Sequence, residues 1–346
     1  MADARETNAR RLRRLTQMRK NDSITGACRA LQGIWETGRK PEAIVLRSTL
    51  LQASEERSRL TRLVLPKGIA LRFYLLAAFE AQCRLNVGEE WENALPLSGR
   101  GSWSDIVAID GAYDTDSATY MHGTVGIRKL ENLRLQQIKG ALRTLEELGG
   151  EHALVTMPRG KSGQREYKNF LLMNESGRGG NQTPDVYTVP ARHWAAAKTI
   201  AIPAAFFLKG WIQVLNPSEV ATWLILRMLR KWAPNKHTTS GVYLYGQARL
   251  ETFGLRDDAW EDGCQRLREF GLIRFAQPPD IPPGTPSELK VVFSQPTRLR
   301  RRYEPHHWQV TDEGLNEDAA KRLDQELTLR QQELETAARH RAQKRS

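Results

Sequence analysis

The chain has 346 residues, which at roughly 100–200 residues per domain predicts two or three domains. Its 52 Lys and Arg outnumber 40 Asp and Glu, a formal charge of +12 that points to a polyanionic partner, nucleic acid ahead of an acidic membrane. Membrane spans are excluded, because the most apolar stretches, Leu71–Phe79 and Val220–Leu229, are broken by Arg72 and Arg227 well short of about 18 residues. Residues 1–22 read as a basic arm, with Arg5, Arg10, Arg11, Arg13, Arg14, Arg19 and Lys20 against Asp3 and Glu6. No apolar region follows these arginines, so no secretory signal is expected. Cys28, Cys83 and Cys264 are far apart and odd in number, as expected of reduced thiols in a cytoplasmic protein.

Residues 23–65 form a helical segment. Ile24, Cys28, Leu31 and Trp35 recur at helical spacing, Gly38 ends that helix, and Pro41 opens a second helical stretch through Leu51. A first patterned block spans 66–175 and a second spans 200–296. The turn-rich run Ser176–Pro184 begins a linker over 176–199. The run Gln277–Ser287, with Pro278, Pro279, Pro282, Pro283 and Pro286, is expected to be a hairpin loop between strands Leu272–Ala276 and Leu289–Phe293. Residues 297–346 carry a basic run and a charged helix. In that helix Leu323, Leu327 and Leu334 are too few for a coiled coil, leaving a solvated single helix or a dimerisation or partner helix.

The two blocks share an internal repeat. Ile138, Ala141, Leu142, Leu145 and Leu148 stop at Gly149. Trp260, Gly263, Cys264, Leu267 and Phe270 stop at Gly271. Each copy predicts a helix with one buried stripe and a left-handed glycine cap. Each is followed by a β-prone run, a loop and a second strand, which in the first block is Tyr167–Met173. Upstream in the second block, Asn216-Pro217-Ser218-Glu219 has the form of a helix start. A helix to Trp232, a short strand at Val242–Tyr245 and a short helix at Gly246–Phe253 follow. In the first block the opening helix is Gly68–Leu85, and an insertion of roughly 25–30 residues falls within 87–131.

The phrase Leu267-Arg-Glu-Phe-Gly-Leu-Ile273 and its counterpart Leu145-Glu-Glu-Leu-Gly149 resemble the end of the recognition helix in winged-helix DNA-binding proteins. Two such units with basic flanks resemble the tandem winged-helix plasmid replication initiators. The resemblance implies a mainly α, α+β fold with two winged helices. It also implies a non-enzymatic, double-stranded-DNA-binding protein that sits on repeated origin sites, with a second copy or host replication proteins as further partners. A winged-helix transcription regulator and a non-catalytic adaptor are the competing expectations.

In such units the long helix enters the major groove and the wing follows the backbone. The first helix offers Arg134, Gln136, Gln137, Lys139 and Arg143, and Arg and Gln pair with guanine and adenine edges. Its wing offers Arg159, Lys161, Arg165 and Lys168 to phosphates. The second helix offers Asp258, Glu261 and Asp262, which phosphates repel, so it reads DNA less deeply. Arg249, Arg256, Arg266, Arg268 and Arg274 are its basic candidates, and Trp260 is expected in the core. Arg298, Arg300 and Arg301 lie in a basic run that can follow phosphates.

No catalytic, metal or cofactor site is expected. Gly160-Lys161-Ser162 lacks the first glycine of a phosphate-binding loop, where Val155 stands. The adjacent His306 and His307, near Tyr303, would point to opposite faces of a strand and hold no shared metal. Asp110, Asp114 and Asp116 lack the calcium-loop pattern and read as a solvated loop.

Overall fold

The computed structural model describes residues 2–52, 57–64, 69–109, 113–114, 119–120, 127–149, 152–176, 185–191, 199–276 and 306–343. The protein is mainly helical, with four two-stranded antiparallel sheets among the described residues. The buried apolar side chains of both blocks and of both chain ends form one connected core.

The basic arm is a helix, α1 (Ala2–Lys20), and α2 (Ser23–Thr37) follows. Helix α2 buries Ile24, Ala27 and Leu31, the predicted stripe, and stops at Gly38. A side chain at Gly38 would collide with the Cys83 carbonyl oxygen, which explains the glycine. The stretch after Pro41 is not helical. Ala43–Arg47 forms strand β1, and only a short 3-10 turn, Ser48–Leu50, follows. The consecutive Ile44, Val45 and Leu46 suit a strand buried on both faces.

A four-residue helix α3 (Arg59–Arg62) precedes α4 (Ala70–Arg84), which is buried on nearly every side and is the central helix of the first block. Its polar groups are satisfied internally. Gln82 Nε2 donates to the Val45 carbonyl (2.7 Å) and to Tyr187 Oη (2.8 Å), and Glu80 accepts from Trp91 Nε1 (2.7 Å). The insertion supplies core rather than only a solvated loop. Trp91 and Trp103 are fully buried and pack with Phe73 and Phe170 at centroid separations of 5.0–6.4 Å. Trp103 opens the short helix α5 (Trp103–Ile106), and β2 (Tyr113–Asp114) pairs with β3 (Thr119–Tyr120). Asp110 and Asp116 lie outside the described residues.

Helix α6 (Ile127–Glu146) packs on α4 and buries Ile138, Ala141, Leu142 and Leu145. Gly149, at φ +81°, reverses the chain. Strand β4 (Val155–Thr156) then pairs with β5 (Leu171–Leu172). The expected linker is in part a packed strand. Val186 bridges Met173, Thr188 bridges Glu90, and Tyr187 and Val189 are buried.

Strand β6 (Thr199–Pro203) pairs with β1, Ala43 opposite Pro203 and Arg47 opposite Thr199. After the short helices α7 (Ala205–Leu208) and α8 (Trp211–Val214), α9 (Pro217–Trp232) starts at the predicted capping box of Asn216 and Glu219. Helix α10 (Pro234–Thr239), α11 (Gly246–Phe253) and α12 (Asp257–Glu269) follow, the last closed by Gly271 at φ +78°. The expected strand Leu289–Phe293 lies outside the described residues. Strand β7 (Ile273–Phe275) pairs instead with β8 (Trp308–Val310), where Trp308 stacks on Phe275 at 4.7 Å. Val242 bridges Trp308 on the other side, so the second block reaches beyond residue 296.

Helices α9 and α12 cross where a Cβ on Gly263 would sit 2.5 Å from Thr222 Oγ1. The equivalent position in α6 is Ala141, so the closer crossing is particular to the second block. Gly263→Ala is expected to cost about 1–3 kcal/mol by overpacking, seen as a lower denaturation midpoint with an unchanged slope.

Helix α13 (Ala319–Gln343) lies along α1, with Leu323 and Leu327 buried against the core that also holds Leu15 and Met18. Asn8 Nδ2 donates to the Leu327 carbonyl (2.9 Å), and Arg19 pairs with Asp324 (2.6 Å). The C-terminal helix is therefore not a solvated single helix. Its partner is the start of the same chain, because each helix carries one apolar stripe that the other covers.

Candidate nucleic-acid interface

Helix geometry sorts the first block's candidates. Ile138 and the residues at helical spacing from it define the buried side of α6. Gln136 and Arg143 project from the opposite side and are exposed. Lys139 is half-buried, with Nζ 5.3 Å above the Tyr167 ring. Gln137 is half-buried at the flank. Arg134 belongs elsewhere. It precedes Ile138 by one turn, shares its side, and has a buried Nε. It does not join the outward face.

The basic loop after β4 is a tight hairpin. Gly160 N–H donates to the Gln164 carbonyl (2.9 Å), Arg159 bridges Arg165, and Gly163 turns at φ +74°. Arg159, Lys161 and Lys168 are exposed along it. Arg165 is not free for phosphate. Its Nε donates to Glu146 Oε2 (2.6 Å) and its Nη2 to Glu147 (3.3 Å). The hydrogen bond that Arg165 donates to Glu146, more than the nearby charges, raises the Arg165 pKa above its ordinary range. Glu146 Oε1 also accepts from the Met157 N–H (3.1 Å). One carboxylate at the end of α6 thus ties the hairpin to the helix and fixes their relative position. Lys161 sits in the turn of the hairpin rather than at the start of a helix, so the Gly160–Ser162 run lacks the strand-to-helix setting of a phosphate loop.

The second block differs in charge. Asp257, Asp258, Glu261, Asp262 and Gln265 are exposed on α12, with Arg256 exposed at its start. Arg249 is buried. Its Nε donates to the Leu255 carbonyl (3.1 Å), it pairs with Asp257, and it lies 5.8 Å over Trp260, itself in the core. Burial pulls the Arg249 pKa down, as it does for Arg266. Arg266 turns inward to Glu269 (3.0 Å), which also holds Arg330 (2.5 Å). Both arginines are structural clamps rather than DNA contacts, because their positions flank the buried stripe. Arg268 lies 4.7 Å over Phe275, while Arg274 is exposed. Arg298, Arg300 and Arg301 lie outside the described residues.

The N-terminal cations divide in the same way. Arg11 is turned inward, bound bidentately by Glu219 (2.5 and 2.7 Å) and stacked on Phe270. Arg5, Arg10, Arg13 and Lys20 are exposed on the outer face of α1.

Two features escaped the sequence reading. A cleft of about 810 Å³ opens between α11 and α12, lined by Arg57, Leu250, Glu251, Arg256, Asp257 and Asp258. At the other edge of the second block, Tyr243, Tyr245 and His307 form a run of rings. The alternation of Tyr243 and Tyr245 was the available signal.

The histidine pair divides as strand geometry requires. His306 meets Phe275 (4.9 Å), while His307 meets Tyr243 (4.5 Å) and the Ser240 carbonyl (2.9 Å). Burial pushes Cys28 up to about 11 and Cys83 up to about 12, far from a reactive thiolate. Among the described residues no helix is long and apolar enough to cross a membrane, and no group of three or more His, Cys, Asp or Glu forms a metal cage. Comparison of the chain with protein-family models, with curated proteins and with solved structures finds no match in any of the three.

Proposed function

We propose that this chain is a cytoplasmic, non-enzymatic, double-stranded-DNA-binding protein built on two winged helices, and that it acts as the replication initiator of a plasmid or similar mobile element. The order of elements supports the winged-helix reading. In the second block it runs α9, the short α10, Val242, α11, α12, β7 and β8, with Val242 and β7 on either side of β8. The single observation that carries DNA binding is the joint surface of α6 and its hairpin. Gln136, Lys139 and Arg143 project from a helix with no carboxylate between Glu131 and Glu146, and Arg159, Lys161 and Lys168 line the adjoining hairpin. The hairpin's one carboxylate, Glu166, is hydrogen-bonded by Asn169 (2.9 Å).

The charge contrast between the blocks supports an initiator. Such a protein must hold origin DNA and a host replication protein together. The basic α6 surface suits the first task and the acidic α12 surface the second. Footprinting tests the role: repeated sites at an origin that supports autonomous replication are expected, and protection confined to a promoter operator would make the protein a transcription regulator.

A further inference from the structure

We propose that the aromatic edge of the second block binds single-stranded DNA, at a site separate from the duplex surface of α6. The site begins with Tyr245, which is 56% exposed where the chain enters α11. This exposed ring does not stand alone. The Tyr243 ring meets Tyr245 edge to face at 4.8 Å and stacks on His307 at 4.5 Å and 20°. Lys236 places Nζ 4.1 Å over Tyr243. The His307 Nδ1–H donates to the Ser240 carbonyl (2.9 Å), which fixes the ring at the end of the run.

Strand alternation builds the rest. Val242 bridges Trp308 and Arg274 pairs with Gln309, so Tyr243, His307, Gln309 and Arg274 lie on one side of a small sheet. Gln309 is buried there beneath α10, donating to the His237 carbonyl (2.9 Å), while Tyr243 and His307 are half-buried beside it. Arg274 and Lys236 are exposed there. The chain from Trp232 to Tyr245 contains no Asp or Glu, nor do Ile273–Ala276 and His306–Thr311. The face is thus aromatic and cationic, in contrast to the acidic α12 of the same block.

That combination fits unpaired bases beside a phosphate backbone. An exposed ring offers a π-face to any base, and cations on either side attract phosphates. Bases within a duplex are already stacked, so the rings would have no free base face to meet. A protein partner would be expected to meet an apolar floor, whereas this face is made of rings with polar edges.

The test is fluorescence anisotropy on the full chain, with a labelled oligothymidylate and, separately, a labelled duplex from around the gene. Tyr245→Ala is expected to weaken oligothymidylate binding about tenfold and leave duplex binding unchanged, while Tyr245→Trp retains both. Arg143→Ala is expected to weaken duplex binding alone. The proposal is overturned if the oligothymidylate does not bind at low salt, if Tyr245→Ala changes nothing, or if an oligouridylate binds more tightly. The two probes keep the readings apart: an unsubstituted chain that binds the oligothymidylate but no duplex would remove the proposed function and leave this site standing.

Discussion

Glu175→Ala is expected to lower the stability of the protein by about 3–5 kcal/mol. The carboxylate is completely buried, and its Oε2 lies 2.6 Å from Arg47 Nη1, itself buried. Burial pushes the Glu175 pKa up, and Arg47 and backbone hydrogen bonds oppose that push. Removing the acid leaves a buried guanidinium without its counter-charge. Its bonds to the Thr188 carbonyl (2.9 Å) and Oγ1 (3.0 Å) remain but carry no compensating charge. The consequence is structural as well as energetic. Arg47 ends β1, which pairs with the second block through β6, while Glu175 follows β5 of the first block. The pair therefore joins the β1–β6 ribbon to the sheet that carries the basic hairpin. Chemical denaturation measures the loss. Replacing both partners by apolar residues of similar size, as in Arg47→Met with Glu175→Leu, is expected to recover most of it, because both desolvation costs disappear together. A loss below about 1 kcal/mol for Glu175→Ala would contradict the account.

Arg143→Ala combined with Gln136→Ala is expected to weaken binding to a specific duplex at least tenfold, each base-reading side chain contributing about 1–3 kcal/mol. Both side chains project from the outer face of α6 and are exposed, so stability should hardly change. The matched control is Gln265→Ala with Arg256→Ala on α12. It is expected to have a small effect, because the exposed Asp258, Glu261 and Asp262 already keep phosphates away from that helix. Arg266 is unsuitable as a control. It is clamped to Glu269, and its loss would unsettle the α1–α12–α13 junction. Equal losses from the two double variants in a gel-shift titration would remove the asymmetry between the blocks.

The repeat was legible because it is local. A stripe at helical spacing ending in glycine needs only its own sequence to be read, and α6 and α12 both end as that pattern requires. The capping box at Asn216 was legible for the same reason. Features that depend on distant partners were not. β1 looked helical after Pro41 because its strand partner, β6, lies more than 150 residues away. Residues 1–22 read only as a basic arm because the apolar stripe of α1 is covered by a helix from the opposite end of the chain. Trp308–Val310 was missed because its pairing with β7 crosses a long proline-rich connection. Charge misled where phase was ambiguous. Arg134, Arg249 and Arg266 sit beside apolar stripes, and whether such a residue points out or in is settled by a neighbour such as Asp257 or Glu269. The direction of Gln136 and Arg143, opposite the stripe, carried no such ambiguity.

The most direct measurement is binding of the full chain to duplex DNA from around its own gene, titrated with salt. Site-selective binding is predicted, with log K falling against log salt at a slope of about −4, the value for four to five neutralised phosphates. Lys139, Arg143, Arg159, Lys161 and Lys168 are the cations expected to make those contacts. Absence of site-selective binding at every salt concentration would contradict the account.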